Sequence, residues 1–69
     1  MELKGLKLIR KAKKLTQLRV AMDLNMSRES ISYYENGKRC PSLETLILFS
    51  DYFNVDINYL ITAKEFKKR

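Results

Sequence analysis

Apolar side chains recur along the chain at intervals of three or four residues, interrupted by short polar stretches. This is the period of amphipathic helices, and no segment alternates apolar and polar residues as a half-buried strand would. Five helices fit the pattern, at residues 2–13, 17–24, 28–35, 43–53 and from residue 57 onward. We therefore expect an all-α domain over residues 1–63, followed by a basic C-terminal tail at 64–69.

The first predicted helix carries one apolar stripe among lysines. Its members are Leu3, Leu6, Ile9 and Ala12. Gly5 lies in the first turns, where it is expected to weaken the helix by up to about 1 kcal/mol relative to Ala. We interpret this segment as a brace for the helices that follow it.

The middle of the chain is typical of two short helices separated by a tight turn. Thr16 and Ser27 are favourable N-caps, and Asn25 accepts the left-handed backbone with which a helix can end. Ala21 lies on the inner face of the first helix, where a small side chain allows another helix to cross closely. Arg19 stands where an acid would suit the helix dipole, a local misfit that is tolerable if a negative group lies close by.

The second helix of this pair divides into two faces. Ile31 and Tyr34 fall on one side and are expected to pack into the core. The opposite side carries hydrogen-bonding and charged groups: Arg28, Glu29, Ser32 and Tyr33. Half of this helix is therefore available for contacts with a partner.

The two remaining helices are expected to support this pair. Ser42 is the predicted N-cap of the fourth helix, and Asn54 is its predicted left-handed end. Its expected inner face consists of Leu43, Leu46, Ile47, Ser50 and Phe53, with Phe49 at the flank. Asp56 then caps a last helix that carries Ile57, Leu60 and Ile61.

The net charge of +6 is unevenly distributed. Residues 1–14 carry +5, residues 15–39 carry +1, residues 40–63 carry −3 and residues 64–69 carry +3. A basic domain suggests a polyanionic partner, most often nucleic acid. A solvated, lysine-rich helix with a frayed tail would account for the same charge, and charge alone does not decide between the two.

The residue inventory argues against several other classes of protein. The chain has 69 residues, no His and one Cys, and its acids are scattered over separate helices, so we expect neither an enzyme nor a metal site. No cofactor or small-molecule ligand is indicated, and no apolar run approaches the ~20 residues of a membrane span. Because Cys40 has no second cysteine to pair with, it indicates a reducing compartment or no redox role. We expect a cytoplasmic location, and a small, partly buried side chain at Cys40.

Several short motifs occur in order and at regular positions. They are Thr16-Gln17, Ala21, Ser27, Ile31-Ser32, Tyr34-Glu35-Asn36-Gly37-Lys38, Pro41-Ser42, Leu43-Glu44-Thr45-Leu46, Phe53-Asn54-Val55 and Leu60. Together they resemble the Cro and phage-repressor (XRE) helix-turn-helix family over about residues 6–61. The resemblance implies a compact five-helix, lambda-repressor-like fold that binds double-stranded DNA.

The resemblance also implies which side chains read bases. The matching positions are Arg28, Glu29, Ser32 and Tyr33. The chemistry of these residues agrees, because Arg28 can donate two parallel hydrogen bonds to guanine and Glu29 can accept one from cytosine. Tyr33 offers a ring for a thymine methyl group or a hydroxyl for a phosphate.

A second set of residues is expected to contact the DNA backbone. Family positions and the chemistry of helix N-termini and basic loops together give Gln17, Ser27, Asn36, Lys38 and Arg39. Arg10 and Glu35 match a family ion pair that joins the first helix to the third. That pair is structural in either case.

Two apolar pairs lie away from the expected core. Leu18 and Met22 are one turn apart on the outer side of the second helix, and Leu48 and Tyr52 form a similar pair on the fourth. They either cover gaps in a small core or contact a partner. We expect Leu48 and Tyr52, or the last helix, to contribute to a homodimer interface. Leu8 also stands where family members commonly have a polar residue.

Two functional hypotheses from different classes follow. The leading one is a transcriptional regulator, a repressor that occupies a near-palindromic operator as a homodimer, with helix 28–35 in the major groove. The alternative is an antitoxin-like or co-regulator module that uses the same fold to hold a protein partner. RNA binding is less well supported, because Tyr33 is the only outward aromatic residue of the third helix.

Overall fold

The computed structural model describes residues 2–64, which form five α-helices and no β-strand. The helices are α1 (Lys4–Ala12), α2 (Gln17–Asp23), α3 (Arg28–Asn36), α4 (Leu43–Phe53) and α5 (Ile57–Thr62). The predicted all-α architecture is therefore confirmed. Apart from Lys64, the predicted basic tail lies outside the described residues. None of the helices in this part of the chain is long and apolar enough to cross a membrane.

Side-chain caps begin four of the helices, as the sequence predicts. The cap oxygens of Thr16, Ser27, Ser42 and Asp56 accept hydrogen bonds from backbone N–H groups three residues further on, at 2.7–3.1 Å. Asn25 and Asn54 have the predicted left-handed backbone, with φ of 58° and 57°. Because capping depends on neighbouring residues alone, these helix ends are the part of the fold that is most directly legible in the sequence.

The helix α1 is shorter than predicted. It begins at Lys4, without a side-chain cap, and it ends at Ala12, which is exposed rather than part of the apolar stripe. Leu3 precedes the helix but is fully buried, and its N–H donates to the Tyr34 carbonyl at 3.4 Å. The segment before α1 is thus held by α3 and by the core, in addition to the hydrogen bond that the Leu3 carbonyl accepts from the Leu6 N–H at 3.1 Å.

Gly5 has a role that the sequence prediction missed. It is buried where α1 crosses α5, and a Cβ at this position would lie 1.9 Å from the backbone carbonyl oxygen of Tyr59. The weak helix propensity of glycine is therefore offset by the close approach of two helix backbones. Only a residue without a side chain fits this crossing.

The core draws on every helix and on the segment before α1. Its buried apolar members are Leu3, Leu6, Val20, Ala21, Ile31, Leu46, Phe49, Phe53 and Leu60. Tyr34 is half-buried and its ring lies edge-on to that of Phe49, with centroids 5.8 Å apart. The expected inward positions of Ile31 and Tyr34 are thereby confirmed, which leaves the opposite face of α3 outside the core.

The predicted inner face of α4 was wrong in part. Leu46, Phe49 and Phe53 are buried, whereas Leu43 and Ile47 are 65% and 45% exposed. Both sets of positions fit a helical stripe, because α4 has apolar residues around most of its circumference. The large ring of Phe49 occupies the core, and this rotates Leu43 and Ile47 outward.

The loop between α3 and α4 gives a second correction. Cys40 is exposed rather than partly buried, with its Sγ 3.9 Å from the carbonyl oxygen of Pro41. Pro41 is the buried residue of this loop. The apolar anchor of the connection is therefore the proline, and the thiol faces solvent.

Candidate nucleic-acid interface

The second and third helices form a compact helix-turn-helix unit. The Met26 N–H donates to the Ala21 carbonyl at 2.8 Å across the left-handed turn at Asn25. Ala21 and Ile31 are buried, so the two helices contact each other through small and branched apolar side chains. This packing turns the polar face of α3 toward solvent.

A buried ion pair ties α3 to α1. The Arg10 guanidinium binds the Glu35 carboxylate through two parallel bonds, Nε to Oε2 at 2.6 Å and Nη2 to Oε1 at 3.1 Å. The two residues are only 8% and 3% exposed. Arg10 also donates from Nη1 to the Leu15 carbonyl at 2.8 Å. Because this arrangement is directional, it holds α3 at a defined angle to α1.

Gln17 extends this ion pair to the protein surface. Its Nε2 donates to Glu35 Oε1 at 3.1 Å, and its Oε1 accepts from Arg28 Nη1 at 3.3 Å. The sequence suggested only a phosphate contact for Gln17. An amide has both a donor and an acceptor, so the Gln17 side chain can join the carboxylate to the guanidinium. The sequence shows that these residue types are present, but it does not show that the four side chains, those of Arg10, Glu35, Gln17 and Arg28, lie within hydrogen-bonding distance of one another.

Three of the four predicted base-reading side chains are exposed on α3. Arg28 and Glu29 lie in its first turn and Tyr33 lies one turn further along. Ser32 is half-buried, and its hydroxyl accepts a hydrogen bond from Asn36 Nδ2 at 3.3 Å. Arg28, Glu29 and Tyr33 are thus exposed to solvent, whereas the Ser32 hydroxyl is already bonded to Asn36, a predicted phosphate contact.

The loop after α3 folds back beside the same face. The Arg39 guanidinium lies over the Tyr33 ring, 5.3 Å from its centroid, and donates to Ser30 Oγ at 3.2 Å. Gly37 has a φ of +77°, and the N–H of the exposed Lys38 donates to the Tyr33 carbonyl at 2.9 Å. The left-handed turn at Gly37 therefore brings two basic side chains to the end of the polar face. Ser27, which caps α3, lies at its other end.

The two predicted partner-facing pairs lie on helices that meet at one hydrogen bond. The Tyr52 hydroxyl on α4 donates to Asp23 Oδ2 on α2 at 2.5 Å, and Arg19 Nε also contacts the Asp23 carboxylate, at 3.1 Å. The misfit of Arg19 with the helix dipole is therefore offset by a negative group close by. Leu18, Met22 and Leu48 are exposed, whereas Tyr52 is half-buried. Their role in partner binding stays a prediction.

This contact changes the acidity of both partners. The hydrogen bonds from Tyr52 and then from Arg19 hold the pKa of Asp23 below its ordinary value of 3.8. The same hydrogen bond to Asp23, with some burial, raises the pKa of Tyr52 above its ordinary value of 10.0. The pair is therefore favoured while the carboxyl group is ionised and the phenol is protonated.

The fold and this polar face define a helix-turn-helix domain. The family profile described as helix-turn-helix matches residues 6–60, and the chain belongs to this family. This confirms the resemblance drawn from the sequence motifs. The match covers the buried ion pair, the turn and both α2 and α3.

Named relatives support the same membership. The chain is 40% identical over 57 residues to the HTH-type transcriptional activator BcrR of Enterococcus faecalis, covering 83% of this chain and 28% of that protein. It is 39% identical over 64 residues to the uncharacterized HTH-type transcriptional regulator YqaE of Bacillus subtilis, covering 93% of this chain and 55% of that protein. It is 42% identical over 52 residues to the antitoxin PezA of Streptococcus pneumoniae, covering 75% and 33%. The chain thus spans about half or less of the length of these relatives.

Proposed function

We propose that the chain is a sequence-specific DNA-binding transcriptional regulator that inserts α3 into the major groove. The observation that carries this proposal is the connected series Arg10–Glu35–Gln17–Arg28, which runs from the buried ion pair to an exposed guanidinium. A side chain anchored in this way loses less conformational freedom when it binds, which favours a defined contact over a diffuse one.

Base reading is assigned to the outer face of α3. Arg28 donates to guanine O6 and N7, Glu29 accepts from cytosine N4, and Tyr33 packs against a thymine methyl group or donates to a phosphate. Ser32 contributes a hydroxyl that Asn36 already orients. Arg28 carries the largest share of the specificity, because it is the one residue of this set that the Gln17 amide holds in position.

Backbone contacts are assigned to the rim of the same face. Gln17 has a second N–H on Nε2 besides the one bonded to Glu35, so it can bind a phosphate while it holds Arg28. The remaining phosphate contacts in this proposal are Ser27, Asn36, Lys38 and Arg39. Such contacts set the register of the protein on the duplex and its affinity, without reading sequence.

We further propose that two copies bind a near-palindromic operator and repress by occupying it, from a cytoplasmic location. Two recognition helices in adjacent major grooves are about 34 Å apart along the duplex. The relatives include a protein named as an activator, so the sign of regulation is decided by a reporter assay with the selected operator upstream or across the start site.

Selection of bound sequences from a random DNA library tests the central claim. We expect a motif with two inverted half-sites. Arg28→Ala is expected to cost roughly 1–3 kcal/mol of binding free energy on that motif and to relax the preference at one base pair. Lys38→Ala is expected to weaken motif and random DNA alike and to lower the salt slope by about 0.9. Equal losses on both DNAs for Arg28→Ala would refute its assignment as a base reader.

The second candidate function is a module that holds a protein partner. Two observations favour it: the exposed apolar side chains of Leu18, Met22 and Leu48, and the similarity to a protein named as an antitoxin. It predicts a stoichiometric complex that Met22→Asp or Leu48→Asp disrupts, with no motif enriched from random DNA. An enriched motif whose binding both variants leave intact would reject it as the main function.

A further inference from the structure

An open groove runs beside α1 on the surface of the domain. It has a volume of about 320 Å³. The residues that line it are Glu2, Leu3, Lys4, Lys7, Leu8, Lys11 and Glu35. None of the functional assignments above uses the lysines of this groove.

The groove is positively charged. Lys4, Lys7 and Lys11 are exposed, and they spread over about 10 Å of helix, given the 1.5 Å rise per residue. The ion pairs found among residues 2–64 are Arg10–Glu35 and Arg19–Asp23, so none of the three lysines is neutralised within the described part of the chain. The carboxylate of Glu35 is already compensated by Arg10, which leaves Glu2 as the single opposing charge.

The groove adjoins the proposed DNA-binding face at two points. Glu35 is part of its lining and also accepts the hydrogen bond from Gln17. Glu2 packs against Gly37 so closely that a Cβ at Gly37 would lie 3.1 Å from that of Glu2. Gly37 stands between Asn36 and Lys38, two of the proposed phosphate contacts. The lysine groove therefore begins where the proposed backbone contacts of α3 end.

We propose that this groove binds further backbone phosphates of the operator, on the DNA strand that passes the end of α3. This inference rests on the proposed function and extends its footprint. Three ammonium groups in a row match the spaced negative charges of one strand, and each phosphate contact releases condensed counterions. Leu8, which is exposed between the lysines, would lie against the apolar face of a deoxyribose. Its departure from the usual polar residue thereby receives a physical reason.

Two matched double variants test the proposal on the selected operator. Lys7→Gln/Lys11→Gln removes two charges from the groove, and Lys13→Gln/Lys64→Gln removes two exposed charges that do not line it. Lys4 is left intact because a cation in the first turn opposes the helix dipole, so its loss would also change stability. We expect the groove variant to lower the slope of log K against log salt by about 1.8, and the control by less than half of that. The groove variant should weaken selected and random DNA by the same factor.

Phosphate ethylation interference supplies a second measurement. We expect ethylation of specific phosphates outside the α3 footprint to impair the wild-type domain and not the groove variant. Equal slope changes in the two doubles would overturn the proposal, since they would reflect overall charge alone. An unchanged slope combined with lost binding to polyglutamate would assign the groove to an acidic protein segment and also overturn it. Wild-type protein that binds no DNA would overturn the proposed function itself, a result distinct from normal DNA binding with an unchanged groove slope.

Discussion

The reading half of the molecule, α1 to α3, differs from the supporting half, α4 and α5, in the contacts that hold its helices. In the reading half, a buried ion pair and an amide join three helices on top of their apolar contacts. In the supporting half, Phe49, Phe53 and Leu60 are almost fully buried. Apolar burial is non-directional, so it stabilises the fold without setting angles closely.

The difference indicates what each kind of contact contributes. A buried ion pair is often no more stabilising than apolar residues of the same volume, because removing charges from water is costly. Its two parallel bonds nevertheless define the orientation of the groups that form it. Fully buried apolar side chains occur in both halves, so we infer that apolar packing across the whole core supplies most of the stability. The Arg10–Glu35 pair then mainly orients α3 and, through Gln17, Arg28.

The largest expected effect is that of Phe49→Ala on stability. Truncating this fully buried ring should lower the free energy of unfolding by about 4 kcal/mol, a large share of the roughly 3–10 kcal/mol of a domain of this size. Urea denaturation followed by circular dichroism measures the loss. The control is Leu48→Ala, at the exposed position directly before Phe49 in α4, and it should change the free energy of unfolding by less than about 0.5 kcal/mol. Similar small losses of unfolding free energy for both variants would contradict the inference that apolar packing in the core supplies most of the stability.

Variants of the Arg10–Glu35 ion pair can separate its effect on the stability of the domain from its effect on the orientation of α3. Glu35→Ala leaves the Arg10 guanidinium buried without its carboxylate and should cost about 3 kcal/mol. The double variant Arg10→Met/Glu35→Leu removes both charges, and we expect its unfolding free energy to return to within about 1 kcal/mol of wild type.

DNA binding should not recover in that double variant. With Glu35 absent, Gln17 loses the acceptor that holds it, so the preference for the selected operator over random DNA should fall toward that of Arg28→Ala. Parallel urea titrations and binding curves provide the comparison. A double variant with wild-type sequence preference would show that the pair does not orient the reading face.

The smallest expected effect concerns the hydrogen bond from Tyr52 to Asp23, which joins the two halves. The pKa of Asp23 is lowered, so the stabilisation from its ionised form is present above about pH 4 and is lost as the pH falls through the lowered value. The pKa of Tyr52 is raised, so the stabilisation from the protonated phenol is present below about pH 10 and is lost as the pH rises through the raised value.

Tyr52→Phe should remove the contribution of Tyr52 and the part of the Asp23 contribution that comes from the Tyr52 hydroxyl, while the part that comes from Arg19 remains. We expect the wild-type domain to have the higher melting temperature between about pH 4 and pH 10, and the difference to shrink at both extremes. Thermal unfolding across this pH series measures it, and Asp23→Asn should abolish the same pH dependence. A constant difference between wild type and Tyr52→Phe at every pH would show that the two groups are not coupled.

Much of the fold follows from local sequence. The caps Thr16, Ser27, Ser42 and Asp56 and the stop at Asn54 were all predicted correctly, because a cap acts within one helical turn. The face of α4 was not, since Leu43 and Ile47 fit a helical stripe as well as Phe49 does. The spacing of apolar residues predicts that a segment is helical. Where a helix has several apolar faces, only its packing against the neighbouring helices determines which face is buried.

The prediction of the candidate site from the sequence has the same limit. The residues of the polar face of α3 follow from periodicity and family resemblance, and three of them, Arg28, Glu29 and Tyr33, are exposed, whereas Ser32 is half-buried. The link from Glu35 through Gln17 to Arg28, the packing of Arg39 on Tyr33 and the lysine groove could not be read from the sequence. Each of these depends on where side chains distant in the chain come to lie, and spacing along the chain does not contain that distance.

For this protein, then, residue order was sufficient for the presence of the five helices, the capped beginnings of α2 to α5 and the polar character of α3, because these depend on propensities and on contacts within a turn or two. Only the folded chain determined the glycine-mediated crossing of Gly5 and Tyr59, the outward position of Leu43 and the anchoring of Arg28. These features arise when several helices compete for one small core, and that competition is settled by packing between residues far apart in sequence.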